Sequence, residues 1–264
     1  MFIDKISKSV NRVDAAEKIS GSIQYLADMD FKDALYAKTL RSTKPRAKIV
    51  SIDLPKLPEG YYIIDKNDVP SKNKVKMIIY DQPFFAEDTV NYIGEPILLV
   101  AGPEKEKVEE LIGKIRVNYQ ELKGVFSIEE AEKCEEIIFG EDNCFSDYKY
   151  SKGDIEFAKA NATHVFEREY QTGYQEHIYL ETQGMVGIFD NGRIKVVGSM
   201  QCPYYVKDAI VQALGFDYDV VQVVQSNTGG AFGGKEEYPS LLGGQVAVAA
   251  LKTKQTVKLI FDRD

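Results

Sequence analysis

Between Val220-Val221-Gln222-Val223-Val224 and the Ala-, Leu- and Val-rich stretch Tyr238 to Lys252 lies Asn227-Thr-Gly-Gly-Ala-Phe-Gly-Gly-Lys-Glu-Glu237, four glycines around one aromatic. The β-branched run reads as a buried strand and the stretch after the glycines as a helix, which puts the glycines at a strand-to-helix turn. Glycine takes positive φ without a Cβ penalty and lets a ligand approach bare backbone, and a helix N-terminus adds unpaired donors and partial positive charge. The segment therefore predicts a backbone cradle for a ligand.

Gly229 to Lys235 also fits the G-x-x-x-x-G-K core of a phosphate-binding loop. The match fails at its last position, where Ser or Thr is needed to hold Mg²⁺; Glu236 and Glu237 would instead set two carboxylates beside a polyphosphate. Phe232 in mid-loop suits the face of an organic ring better than a phosphate wrap. Nucleotide binding through Gly229–Lys235 is the lesser alternative.

The 264 residues allow about two domains, and 44% hydrophobic content is ordinary for a globular chain. A net charge of -8, with no basic cluster interleaved with aromatics, gives no footprint for nucleic acid. Cys134, Cys144 and Cys202 are odd in number and lack C-x-x-C spacing, so a cytoplasmic protein without a disulfide framework is expected. The start, Met1 to Lys8, has no apolar stretch of signal length, and no window approaches the roughly 20 apolar residues of a membrane span.

In the first half, strand-like runs at Ile19–Tyr25, Ala34–Leu40, Ala47–Leu54, Tyr61–Asp65, Lys76–Tyr80 and Pro96–Ala101 precede a helix over Glu104–Ile115. Val108, Leu111, Ile112 and Ile115 give that helix one apolar stripe, and Arg116–Leu122 returns as a strand. Strand, helix and strand predict a crossover on a mixed sheet within an α/β domain over residues 1–131. The acidic stretch 132–152 reads as a linker, and a second domain occupies 153–264. It opens with an extended run, His164–Tyr170. Asp190-Asn191-Gly192 then joins Gly184–Phe189 to Arg193–Gly198 as a hairpin, and Tyr204–Leu214 forms a helix stopped by Gly215.

Of the two histidines, His164 suits strand pairing, and no nucleophile elbow accompanies His177, which disfavours a hydrolase. His177 and Glu181, four apart in Gln175-Glu-His-Ile-Tyr-Leu-Glu-Thr182, do not make a zinc site without further ligands. Gln201, just before Pro203, either aims its amide beside the glycine loop or caps the following helix.

Together these segments resemble the molybdenum-binding subunit of the molybdenum hydroxylases, the xanthine dehydrogenase and aldehyde oxidase family, over nearly the whole chain. The first half is similar to its α/β hammerhead domain through Arg12-Val-Asp14, Gly21–Asp28, Leu40-Arg-Ser42, Asp68-Val-Pro70, Ile93-Gly-Glu-Pro96 and Val117–Leu122. The second is similar to the start of its α+β molybdopterin-binding domain through Gln175–Thr182, Ser199-Met-Gln-Cys-Pro203 and Gly229–Lys235. The resemblance implies that Gly230, Phe232, Gly233 and Gly234 lie against a molybdenum–molybdopterin cofactor and that Gln201 hydrogen-bonds an oxygen on the metal, with no residue of this chain ligating the metal directly. It implies that Glu236 orients the substrate, tilting it towards a purine. The family hydroxylates an electron-poor carbon of an N-heterocycle or aldehyde with water-derived oxygen and passes electrons to iron–sulfur clusters and FAD. With no iron–sulfur cysteine cluster or dinucleotide fingerprint here, those carriers are expected on partner subunits or domains of an oligomer.

The family's subunit is longer, and its general-base glutamate has no match in this sequence. The chain is therefore expected to be an amino-terminal fragment or a short subunit, inactive alone. Met200 stands where many members have Thr. A non-catalytic assembly module, with the glycine loop as a hinge, is the competing expectation.

Overall fold

A computed structural model describes residues 8–263. Two compact units emerge, one built from residues up to 121 and from 177 onward, the other from 122–176.

The larger unit is organised by a seven-stranded mixed sheet. Its strands are β1 (Leu35–Arg41), β3 (Tyr62–Ile64), β7 (Pro96–Gly102), β9 (Gly184–Asp190), β10 (Arg193–Gly198), β11 (Val221–Gln225) and β12 (Val257–Ile260), in the order β11-β10-β9-β12-β1-β7-β3. First-half and second-half strands meet where β1 runs parallel to β12, Leu35 opposite Val257 and Ala37 opposite Leu259. The β9–β10 hairpin turns at Asn191 and Gly192, both at positive φ, as the Asn-Gly pair predicts.

The expected crossover does not form. After β7 the helix α2 (Lys105–Lys114) buries Val108 and Leu111 as its stripe predicts, but the next strand, β8 (Arg116–Glu121), joins β2 (Ala47–Asp53) and β6 (Thr89–Val90) in a separate three-stranded sheet. The reason is occupancy: β7 is buried along its whole length and already hydrogen-bonded on both edges, to β1 and β3. Two expected strands are also corrected. Over Ile19–Tyr25, helix α1 (Ala15–Ser20) takes the first residues, Gly21 caps that helix at φ 71°, and Tyr25 keeps only an isolated bridge to Asn227. Lys76–Tyr80 turns back on itself, so that β4 (Val75–Lys76) and β5 (Tyr80–Gln82) pair as a short antiparallel ribbon.

Two helices cover the sheet beside the glycine loop, α5 (Pro203–Leu214) and α6 (Pro239–Thr253). Helix α5 begins at Pro203, one residue before the expected Tyr204, and is stopped as expected by Gly215 in the left-handed region. Helix α6 is buried almost all round, which is the signature of a central rather than an amphipathic surface helix. Glycines permit this: a Cβ at Gly187 would stand 2.3 Å from the Val246 carbonyl oxygen, and one at Gly243 2.5 Å from Val206. Strand β9 and helix α5 thus approach the α6 backbone closely and fix the helix into which the loop runs. No helix among the described residues is long and apolar enough to cross a membrane.

In the smaller unit, α3 (Ile128–Glu132) and α4 (Ile155–Asn161) are capped by Ser127 and Asp154, and Asn143, at φ 62°, binds Ile138, Ala131 and Glu136 backbone atoms. The expected extended run His164–Tyr170 is exposed and pairs with no strand among the described residues.

Candidate functional site

The glycine segment leaves β11, turns through 226–238 and enters α6, so the strand-to-helix placement is observed. Three loop residues sit in the left-handed region: Gly230 at φ 101°, Phe232 at 54° and Gly233 at 99°. Phe232 is the unusual one. An aromatic residue in that conformation carries a steric cost of about 1–2 kcal/mol, and the residue is 77% exposed, so no core packing offsets the strain. Strain at an exposed aromatic marks a position shaped for something other than stability.

Gln201 settles against the loop rather than capping α5, whose N-cap residue is Cys202. Its Oε1 accepts the N–H of Gly233 at 3.1 Å and of Lys235 at 3.3 Å, while its own backbone N–H donates to the Lys235 carbonyl at 2.7 Å. That arrangement fixes which end of the amide faces the loop and leaves Nε2 without an acceptor among the described residues. The N–H groups of Gly230, Ala231 and Phe232 likewise meet no acceptor there. Donors thus gather where the sequence placed a cradle.

The opposite side of the loop is closed by His177, Glu181 and two residues given no role from sequence, Tyr179 within the same Gln175–Thr182 segment and Gln183 just after it. A Cβ at Gly234 would stand 2.6 Å from the Tyr179 ring and 3.1 Å from that of His177; one at Gly229 would stand 2.6 Å from the Glu181 Cβ. Gln183, buried, donates through Nε2 to the Gly234 carbonyl at 2.6 Å and to the Tyr179 hydroxyl at 3.0 Å. His177 and Glu181 therefore do not converge on one point: His177 packs under Gly233 and Gly234, whereas Glu181 binds the ends of the loop.

Lys235, which the phosphate-loop pattern would aim at a polyphosphate, is fully buried. Its Nζ donates to Glu181 Oε2 at 2.9 Å and Ser199 Oγ at 3.0 Å, and lies 4.9 Å from the Tyr179 ring centroid. Burial raises the Glu181 carboxyl, but hydrogen bonds from Ser199 and the Gly229 N–H, with the Lys235 ammonium, outweigh it and hold the group below its ordinary range. The lysine is committed to this ion pair, so the nucleotide alternative loses the cation it requires.

Glu236 and Glu237 follow on the outer side. The Glu236 N–H donates to the Gly233 carbonyl at 3.3 Å, and burial together with these two carboxylates raises the Cys202 thiol. A cavity of about 340 Å³ opens beside Glu237, lined by Met77, Ile78, Tyr205, Asp208 and Gln212. A composition signal for the inner residues exists, in the polar run 175–183 before a hairpin strand, but nothing in spacing tells which of its side chains turns inward.

Comparison with known proteins agrees with this arrangement. Residues 20–123 match the family described as aldehyde oxidase and xanthine dehydrogenase, a/b hammerhead domain, and residues 138–264 the molybdopterin cofactor-binding domain. The chain is 33% identical to a nicotinate dehydrogenase large molybdopterin subunit from Eubacterium barkeri, with 98% of this chain aligned to 62% of that protein. It is also 33% identical to a xanthine dehydrogenase from Blastobotrys adeninivorans, covering 98% of this chain and 19% of the relative. Among solved structures, an aldehyde oxidoreductase from Desulfovibrio desulfuricans shares the fold with a TM-score of 0.84 at 21% identity, over 96% of this chain and 30% of that one. The chain thus spans less than two thirds of the length of these relatives. It belongs to the molybdenum hydroxylase family, of which it carries an a/b hammerhead domain followed by molybdopterin cofactor-binding sequence.

Proposed function

We propose that the Gly229–Lys235 loop, Gln201 and Glu236 form one wall of the cofactor and substrate site of a molybdenum hydroxylase acting on a purine-like N-heterocycle or an aldehyde. The observation that carries this is Gln201: its carboxamide oxygen is pinned by two loop N–H groups, which turns Nε2 outward beside the unpaired donors of Gly230, Ala231 and Phe232. The residues present fit an oxygen-rich, anionic cofactor. Gly230 and Gly233 take positive φ, which glycine adopts without a Cβ penalty, and the unpaired N–H groups of Gly230, Ala231 and Phe232 supply donors. When bound, the molybdenum–molybdopterin group supplies the oxygen-transfer and two-electron redox chemistry.

The chain's own residues bind and orient. Gln201 Nε2 donates to a cofactor oxygen, the loop amides fix its position, and Phe232 lays its exposed ring against the bound organic surface. Glu236 accepts from a ring N–H of substrate. Two relatives are named for nicotinate and xanthine, both N-heterocycles, and others for aldehydes, so the tilt towards a purine-like substrate rests on Glu236.

In this reading residues 1–131 are the hammerhead domain, 132–152 the linker and 153–264 the first part of the cofactor domain. The chain works inside a cytoplasmic oligomer whose other subunits or domains complete the site and supply the general base, the iron–sulfur clusters and FAD; alone it is inactive. Molybdenum measured against protein in the native complex tests the reading. About one metal per copy is expected, and none would overturn it. Unchanged KM and kcat for a purine after Glu236→Ala in that complex would remove the role given to Glu236.

A further inference from the structure

Glu181 meets the glycine loop only at its two ends, where a single oxygen, Oε2, accepts from the Gly229 N–H at 2.8 Å and from Lys235 Nζ at 2.9 Å, and also from Ser199 Oγ at 2.6 Å. Gly229 opens the glycine loop and Lys235 closes it. The Glu181 N–H also donates to the Gly229 carbonyl at 3.2 Å, and its Oε1 accepts the Leu26 N–H at 3.3 Å. Lys235 carries the link further, because its backbone is the part bound to Gln201 on both its N–H and its carbonyl. Any shift of Lys235 therefore shifts the Gln201 amide and, through Oε1, the Gly233 N–H.

A buried ion pair is a poor device for stability alone, since well-packed apolar residues of similar volume do as well or better. It is a good device for setting geometry, because a carboxylate with several donors on one oxygen accepts few arrangements. We propose that Glu181 is a positioning residue that clamps both ends of the glycine loop, with buried Lys235 as its counter-charge, and so sets the Gln201 amide and the loop amides in their ligand-ready arrangement. This rests on the loop being the cofactor wall.

Two measurements separate the clamp from that reading. In this chain without cofactor, hydrogen exchange at the Gly233 and Lys235 amides reports loop shape directly. In the complete enzyme, molybdenum per chain reports cofactor retention. Glu181→Gln keeps an acceptor for Gly229 but strands the buried ammonium, so it is paired with the double variant Glu181→Gln/Lys235→Met, which removes that charge and guards against simple misfolding. The clamp predicts that the double variant recovers the thermal midpoint, while exchange at both amides stays about tenfold or more faster than in the parent and molybdenum content falls by a similar factor.

Recovery of midpoint, protection and molybdenum together would overturn the clamp and leave the pair as packing only. Unchanged amide protection in both variants would overturn it as well. Gly234→Val serves as the independent control on the wall: if that variant keeps its molybdenum, the cofactor reading fails, while the exchange data still decide whether Glu181 shapes the loop.

Discussion

Gln201 and Lys235 hold each other twice, by a 2.7 Å bond from the Gln201 N–H to the Lys235 carbonyl and a 3.3 Å bond from the Lys235 N–H to Gln201 Oε1. The pair joins the end of the β10 hairpin strand to the end of the glycine loop, so the acceptor half of the amide is structural and the donor half is left for a ligand. Gln201→Glu separates the two halves. It keeps an acceptor for Gly233 and Lys235 and removes the Nε2 donor. Its expected effect on stability is within about 0.5 kcal/mol, as for a partly exposed substitution, with a large loss of turnover in the complete enzyme. Thermal unfolding and steady-state kinetics on the same preparation check it; a midpoint that falls in step with activity would count against a ligand-facing role.

Phe232 combines φ 54° with an exposure of 77%. Phe232→Gly removes a steric cost of about 1–2 kcal/mol and adds back about 0.5–1 kcal/mol of unfolded-chain entropy. The strain relief equals or exceeds that cost, so the folded chain is expected to gain up to about 1.5 kcal/mol while the complete enzyme retains less cofactor. Denaturant midpoints and molybdenum content measure the two effects separately, and a destabilised variant would mean the ring packs on the protein after all.

Gly244 lies inside α6, where Ala is favoured over Gly by about 1 kcal/mol on propensity. A Cβ there would stand 2.1 Å from the Phe84 ring, and Phe84 is fully buried in the same cluster. Overpacking of this kind costs about 1–3 kcal/mol, so sterics outweigh propensity and Gly244→Ala is expected to be destabilising on balance. Urea unfolding of the variant gives the sign directly, and a stabilised protein would show that Phe84 can move aside.

The Glu181 carboxyl is held below its ordinary value of 4.5 in the folded chain. The unfolded chain therefore takes up this proton first as pH falls. The stability that Glu181 contributes is complete above its unfolded value and is lost as pH drops from there through the folded value. Glu181→Gln should flatten that acid limb while leaving the neutral region lower and level. Thermal midpoints across the acid range test it; parallel acid limbs for parent and variant would place the titration elsewhere.

Much of this architecture is legible in the order of residues alone. Asn191-Gly192 demands a hairpin because both positions take positive φ, Gly215 stops α5 for the same reason, and the β-branched run before Gly229 is a strand, though a half-exposed edge strand rather than the buried one expected. These are local signals, carried by one or two residues whose backbone preferences leave little choice. Gln201 and the glycines are legible too, since a polar amide before Pro203 and a glycine-rich strand-to-helix turn each restrict what the chain can do there.

What the linear pattern leaves open depends on partners distant in the chain. Arg116–Glu121 alternates well enough for a strand, but only the occupied edges of β7 send it to β2 and away from the main sheet. The G-x-x-x-x-G-K pattern alone would aim Lys235 at a phosphate, but Glu181 and Ser199, 54 and 36 residues away, bury it as an ion pair. No spacing in the sequence assigns Gln183 or Tyr179 a role, yet they line the loop because Gly234 leaves room for a ring and offers a carbonyl. Turn chemistry and periodicity are encoded within a few residues and so belong to the sequence; burial, strand partnership and the fate of a charge depend on what the fold brings alongside, and those the tertiary structure decided.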